Sequence, residues 1–304
     1  MQRRRHHLLA GLGAALGLPL AGSTYALAIE PGLRLAVRHY RPALPAWPAG
    51  FRLRIGIITD LHAGGPNMLP RRVEGIVEAM AGLRPDLVVF LGDLNASHRF
   101  LTERVPPARS AAILSRLHPP LGLHAVLGNH DWWDDPAAFR SNSGRRPETE
   151  RALLAAGIPV LENRAVRLRS DGRDFWLAGL GSMWAFGGGH GRWRGIDDLP
   201  ATLAALTDDA PAILLAHEPD IFPRVPARVA LTLSGHTHGG QVRLPGVKLR
   251  IPSNYGDRYA YGHIIEEDRH LIVSSGLGTS GLPVRFRVPP EIVLVELGHA
   301  AGAG

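Results

Sequence analysis

Leu87-Val88-Val89-Phe90-Leu91 is apolar at every position, is preceded by Pro85-Asp86 and ends in Gly92-Asp93. A continuous run of this length, rich in β-branched and aromatic residues, suits a strand buried on both faces, as in a parallel sheet. Upstream, residues 69–83 are amphipathic with helical spacing, and residues 52–59 form a second apolar run that ends in Asp60-Leu61-His62. Downstream, residues 107–117 read as a helix and residues 121–127 as a third strand, ending in Gly128-Asn129-His130-Asp131. Three consecutive strands therefore end in loops carrying metal-capable side chains. In α/β folds ligands collect at the carboxyl ends of strands, so these loops are expected to meet.

The second half repeats the plan. After an Arg- and Ser-rich loop (140–146) come a helix at 148–156, strands at 165–169 and 175–180, and a glycine-rich stretch at 187–191. Strand 211–216 then ends in His217, and strand 229–233 ends in Ser234-Gly235-His236-Thr237-His238-Gly239-Gly240. The expectation is α/β: one domain of two related β-sheet halves whose strand ends face a shared site. Near the C-terminus Arg285 and Arg287 alternate with Phe286, which predicts a strand with exposed arginines.

Composition narrows the chemistry. The 304 residues allow one large domain or two small ones, and 45% hydrophobic with 20% charged residues fits neither a disordered chain nor a many-span membrane protein. Cysteine is absent, which excludes disulfides, thiolate metal sites and a cysteine nucleophile. Any metal must be held by His, Asp, Glu or Asn. The net charge of +7 comes almost wholly from arginine, Lys248 being the one lysine. Beyond the first residues these arginines form no long block and no stripe with interleaved aromatics, so nucleic acid is not an expected partner.

The N-terminus reads as a targeting segment. Arg3-Arg4-Arg5 precede residues 8–29, which contain no Asp, Glu, Lys, Arg or His. As a helix those 22 residues would span roughly 33 Å, enough for a bilayer core of about 30 Å. Against a retained anchor, Pro19 interrupts the stretch and Ala26-Leu27-Ala28 has the small-x-small form of a signal-peptidase site. Arg4-Arg5-His6-His7-Leu8-Leu9 resembles a twin-arginine export signal, with His7 where a hydrophobic residue is usual. The expected division is 1–29 signal peptide or membrane anchor, 30–49 linker, 50–297 domain and 298–304 tail. The expected location is the cell envelope, either anchored in the inner membrane or released after cleavage, since basic residues hold the N-terminus inside.

Asp60-Leu61-His62, Gly92-Asp93, Gly128-Asn129-His130-Asp131, His217 and Gly235-His236-Thr237-His238 match, in order, the five motifs of the calcineurin-like metallophosphoesterases. Over residues 50–297 the chain resembles that superfamily. Gly239-Gly240-Gln241, Gly276-Leu277-Gly278-Thr279-Ser280-Gly281 and Ile29-Glu30-Pro31 look like its bacterial membrane-associated branch, typified by YkuE and YaeI. The resemblance implies a four-layer αββα sandwich of two mixed β-sheets flanked by helices, with the metal site at the strand ends. It implies two divalent metal ions, with Asp60, His62 and His238 on one, Asn129, His217 and His236 on the other, and Asp93 between them. The N/O ligand set admits Mn, Fe, Zn or Co.

The activity so implied is hydrolysis of a phosphodiester or pyrophosphate bond by in-line attack of a water acidified toward hydroxide. His130 would stand outside the metal shell and stabilise developing charge or protonate the leaving group, with Asp131 orienting it or, alternatively, capping the following helix. Trp132, Trp133, Trp184, Arg192, Trp193 and Arg194 lie on loops near the motifs. Trp132, Arg192 and Trp193 are expected to contact substrate, rim packing being the alternative. The resemblance suggests an envelope lipid such as UDP-diacylglucosamine. Competing readings are a soluble phosphoesterase acting on nucleotides or phosphoproteins and a non-catalytic metal-binding scaffold.

Overall fold

A computed structural model of the protein describes residues 22–140, 145–188, 192–244 and 251–298. In the first half lie β1 (Ala36–Tyr40), β2 (Leu53–Ile58), β3 (Leu87–Phe90) and β4 (Leu123–Ala125). In the middle lie β5 (Arg164–Ser170), β6 (Arg173–Gly179), β7 (Phe186–Gly188), β8 (Arg192–Arg194) and β9 (Ala212–Leu215). Then follow β10 (Val229–Ser234), β11 (Gly262–Glu266), β12 (Arg269–Val273) and β13 (Glu291–Leu297). One sheet has the order β1-β13-β2-β3-β4, the other β11-β12-β10-β9-β6-β5, and β7 and β8 form a small hairpin. Both large sheets are mixed: β2, β3 and β4 run parallel, as do β6, β9, β10 and β12, while β13 against β2, β5 against β6 and β11 against β12 are antiparallel.

Alternating side chains of these strands create the layers. Ile55, Ile57, Leu87 and Val89 point between the sheets and meet Leu177, Ile213, Leu215 and Leu231. Ile58, Val88 and Phe90 point outward, against helices. Helix Pro70–Gly82 buries Val73, Ile76, Val77 and Met80, the i, i+3, i+4, i+7 stripe of an amphipathic helix, and its proline sits in the first turn where no N–H partner is needed. At Gly56 on β2 an added Cβ would lie 2.5 Å from Met80 Sδ, so glycine lets this helix press onto the sheet. The other outer face packs Ala178 and Leu214 against Leu199, Ile221 and Phe222. The four-layer αββα sandwich expected from the resemblance is the architecture observed.

Seven predicted strands are observed to within a residue or two at their ends, as β2, β3, β4, β5, β6, β9 and β10, whereas β1, β7, β8, β11, β12 and β13 have no predicted counterpart. Three features differ in kind. Residues 30–49, expected as a linker, carry β1, which pairs in parallel with β13. The two halves are also not closed in sequence order, because β13 returns from the far end of the chain to lie between β1 and β2. Finally, the segment around Phe286 is not a strand with exposed arginines: Arg287 is exposed, but Arg285 is fully buried. Most of the expected leader (1–21), part of the Arg- and Ser-rich loop (141–144), residues 189–191 and the tail beyond 298 lie outside the described residues. Among the described residues no helix is long and apolar enough to cross a membrane.

Candidate metal centre

The shared direction of β2, β3 and β4, and of β9 and β10, carries their C-terminal loops to one edge of the sandwich. There Asp60, His62, Asp93, Asn129, His217, His236 and His238 converge, all buried. Five of them have left-handed backbone: Asp60 (φ 49°), His62 (41°), Asp93 (58°), His236 (70°) and His238 (51°). Such conformations are strained for non-glycine residues and cluster where a site over-determines them. The loops are pinned to one another: Asp60 N–H donates to Gly92 O at 3.0 Å, His62 N–H to Asp93 O at 3.0 Å, and Gly278 N–H to Asp60 O at 2.7 Å. At Gly128 a Cβ would lie 2.3 Å from Asp93 Oδ1 and 2.6 Å from His217 Cε1, so that position admits no larger residue without displacing two site residues.

The side chains fall into groups able to hold a cation. Donor atoms of Asp60, His62 and His238 lie within 4.8 Å of one another, as do those of Asp60, Asp93 and His217, and those of His217, Glu218 and His236. Asp93 Oδ2 stands between them, 3.4 Å from His62 Nε2 and 3.3 Å from His217 Nε2. His217 donates its Nδ1 proton to Leu91 O at 2.6 Å, which aims Nε2 into the site. Asn129 Oδ1, His217 Nε2 and His236 Nε2 are buried with no hydrogen-bond partner. Buried polar atoms are almost always satisfied, and three orphaned Lewis bases in one place fit divalent cations. Glu218 is the exception, since Ser182 Oγ and Met183 N–H already donate to its carboxylate.

Burial sets the protonation of the imidazoles. Desolvation pushes His62 down to about 4, and burial together with neighbouring cationic groups holds His236 and His238 well below the ordinary range. All three stay neutral at pH 7, the form that ligates metal. Burial raises Asp60 to about 6, with the neighbouring Asp93 charge adding to the rise. Burial also works against a charged His217, but Asp93 outweighs it and raises the imidazole well above its usual value. The Asp93 carboxylate, which burial alone would raise, is held well below its ordinary range by His217, His130 and His62. Without metal, protons thus occupy the place of cations.

His130 stands at the mouth of the centre. Its ring packs edge-on against His62 with centroids 5.1 Å apart, its Nε2 lies 3.2 Å from Ser280 Oγ, and its Nδ1 lies 3.4 Å from Asp134 Oδ2. Burial disfavours its charged form, yet Asp93 and Asp134 together raise its pKa. Asp131 is not the carboxylate that orients it. Asp131 accepts the amides of Asp93 (2.8 Å), Leu94 (3.0 Å) and Gly128 (2.8 Å), capping the helix Asn129–Trp133 and welding two motif loops together. The difference arises because residue 131 lies about 100° around that short helix from residue 130, whereas residue 134, four positions on, returns to its side.

An open cleft of about 760 Å³ in front of the centre is lined by His62, His98, Arg99, His130, Trp133 and Ser280 among others. Trp193 belongs to an aromatic stack that starts from the lining residue Trp133: it stacks on Trp133 at 4.7 Å and on Trp184 at 5.3 Å, and Trp184 meets the His236 ring edge-on at 4.6 Å. Trp132 does not. It is buried against Phe186 and beneath the Arg146 guanidinium, because successive residues of a helix point to different sides, and Trp133 takes the cleft side instead. Arg192 is in β8 but its side chain lies outside the described residues. Sequence reading did not single out Asp134, Glu218 or Ser280. Glu218 adjoins a motif histidine and Ser280 falls in the block 276–281 that carries the branch resemblance, whereas nothing in the residue string marks Asp134.

Residues 53–265 match the family model described as calcineurin-like phosphoesterase. The chain is 31% identical to the uncharacterised metallophosphoesterase YkuE of Bacillus subtilis over 97% of each chain. It is 30% identical to the phosphodiesterase YaeI of Escherichia coli, covering 91% of this chain and 93% of that one. It is 28% identical to the UDP-2,3-diacylglucosamine pyrophosphatase LpxG of Chlamydia trachomatis, covering 95% and 97%.

Proposed function

Because this chain belongs to the calcineurin-like phosphoesterase family, a family of metal-dependent hydrolases, we propose that it cleaves a phosphodiester or pyrophosphate bond with two divalent cations, on an amphiphilic substrate of the cell envelope. The observation that carries this reading is Asp93 Oδ2, set about equally from His62 Nε2 and His217 Nε2 between two sets of buried Lewis bases. Asp60, His62 and His238 would hold one cation, and Asn129, His217 and His236 the other, with Asp93 shared. When bound, the pair supplies Lewis acidity to the phosphoryl oxygens and acidifies the attacking water.

The chain's own groups complete the chemistry. His130, its charged form favoured by Asp93 and Asp134, faces the cleft and can give a proton to the departing oxygen or bind the charge that grows on the phosphoryl group. Ser280 Oγ steadies its Nε2 side. The stacked wall of Trp133, Trp193 and Trp184 offers a flat apolar surface for the organic part of the substrate.

Two observations favour an amphiphile. The relatives YaeI and LpxG are named a phosphodiesterase and a UDP-2,3-diacylglucosamine pyrophosphatase. The helical residues 22–33 also dock on the loop whose other end lines the cleft: Ala26 O accepts Arg285 N–H at 2.9 Å, the Tyr25 ring meets Phe286, and Leu282 lies at the cleft with about half its surface exposed. Residues 22–29, the described end of the uncharged stretch, thus meet the domain beside this cleft, the place where an anchor would bring a membrane surface to the metals.

The test strips the full chain of metal, reloads it with Mn, Fe, Zn or Co in turn, and compares a bis-aryl with a mono-aryl phosphate. Metal-dependent preference for the diester is expected, followed by turnover of a nucleotide-linked diacyl lipid. Preference for the monoester, or equal rates with and without metal, would contradict the proposal.

A further inference from the structure

Among the described residues Arg285 is the one arginine with no exposed surface. Its Nε donates to Gly278 O at 2.8 Å, Nη1 to Val288 O at 3.0 Å and Nη2 to Ser275 O at 2.8 Å. The same Nη2 lies 3.4 Å from His238 Nδ1, on the side of that ring away from Asp60 and His62. Burying a cation is far costlier than burying an apolar side chain of the same volume. Here that cost is set against what the guanidinium ties together.

What it orders is one half of the metal centre. The loop 275–278, spanned by the guanidinium, presses directly on two site residues. A Cβ at Gly276 would lie 2.6 Å from Asp60 Cβ, and one at Gly278 would lie 2.7 Å from His62 Cβ. Leu277 N–H donates to Thr59 O and Gly278 N–H to Asp60 O. One planar fork thus fixes the wall behind Asp60 and His62, with His238 packed against its outer edge. His217, in the other half, is oriented independently by Leu91 O.

Outward, Arg285 N–H donates to Ala26 O, and the Glu30 carboxylate accepts the amides of Arg287 and Val288. The docked segment 22–33 is therefore two contacts away from His238.

We propose that Arg285 is a positioning residue for the cation held by Asp60, His62 and His238, and that the docked N-terminal segment braces it in that role. The guanidinium geometry matters as well as the charge, because a lysine ammonium cannot reach all three carbonyls in one plane. The inference rests on the two-cation reading, which is checked first: wild type must bind two equivalents of Mn or Zn in a dye-competition titration, and fewer would sink that reading rather than this one.

With that established, the full-length Arg285→Met and Arg285→Lys variants are titrated in parallel, together with Glu30→Gln, which leaves Arg285 in place. Expected is at least a tenfold weaker affinity for one equivalent with the other unchanged in the Arg285 variants, and a smaller loss of the same equivalent in Glu30→Gln. The metal-free melting temperature is recorded for each. Arg285→Met or Arg285→Lys binding both equivalents as wild type does would overturn the proposal. So would a parallel loss of both equivalents that tracks the metal-free melting temperature, which is the signature of a merely structural role. Should the Arg285 variants fail to fold, Glu30→Gln decides by the same criterion.

Discussion

His217 donates from Nδ1 to the carbonyl of Leu91, the last apolar residue of the run that leads to Asp93, at 2.6 Å. A single strand end thus supplies both the Asp93 carboxylate and the hydrogen bond that aims an imidazole at it. Such outer partners fix the ring and raise its basicity as a ligand. In the metal-free protein the neighbouring Asp93 carboxylate favours the protonated form of His217, and a cation held at Nε2 would displace that proton.

Proton release on metal binding is the first consequence. The folded pKa of His217 is raised above 6.5 by Asp93 against the effect of burial, so protons compete with the cation over the whole range below that raised value. Apparent metal affinity should rise with pH and weaken as pH falls. Calorimetric titrations at one pH in two buffers of different ionisation heat measure the protons released. Identical heats in both buffers would contradict the assignment.

Gly128→Ala should weaken metal binding without touching a ligand. The new Cβ would lie 2.3 Å from Asp93 Oδ1 and 2.6 Å from His217 Cε1, and both are backed by pinned backbone. A loss of at least about tenfold in affinity, or about 1.4 kcal/mol, is expected in an equilibrium titration. Wild-type affinity would show that the loops yield.

The two carboxylates near His130 should separate cleanly. Asp131→Asn replaces one of the two carboxylate oxygens that between them accept three buried amides with a donating NH2 group, so at least one amide loses its acceptor, and should lower the unfolding free energy of the metal-free protein by about 1–3 kcal/mol in a urea titration. Asp134→Asn should leave stability nearly unchanged but lower the His130 pKa, since Asp134 is one of the groups raising it. If the imidazolium is the working form, activity falls as pH rises through that pKa, and the Asp134 variant loses activity at lower pH than wild type does. An unmoved pH profile would remove Asp134 from the catalytic account.

Substrate grip by the aromatic wall predicts a KM effect. Trp193 stacks on both Trp133 and Trp184 and is about two-fifths exposed. Trp193→Ala should raise KM for an aryl or amphiphilic substrate by about tenfold with kcat little changed, the mark of uniform binding. Trp132→Ala, which empties a buried site instead, should cost about 3–5 kcal/mol of stability.

What the residue string disclosed follows physical lines. Leu87 to Leu91 was legible because burial on both faces leaves no polar residue in the run, and the motif residues were legible because ligand chemistry is written in residue type. β1, with Arg38 and His39 exposed on an edge strand, carries no such pattern. β13 is apolar, but its place between β1 and β2 is a long-range pairing that no local signal encodes. Arg285 is misread and Asp131 left between orienting and capping for one reason: their roles depend on which backbone groups the folded loops bring to them. Trp132 and Trp133 could be told apart only once the short helix at 129–133 had a direction.

The central claim is that Asp93 is shared by two cations, and the Asp93→Asn variant of the full chain tests it most directly. Metal equivalents bound and diester hydrolysis would be measured on the same preparation. The account predicts that affinity for both equivalents weakens together and that kcat/KM falls at least about 10³-fold, or about 4 kcal/mol of transition-state stabilisation. A variant that keeps one equivalent at wild-type affinity, or hydrolyses the diester at the wild-type rate, would contradict it.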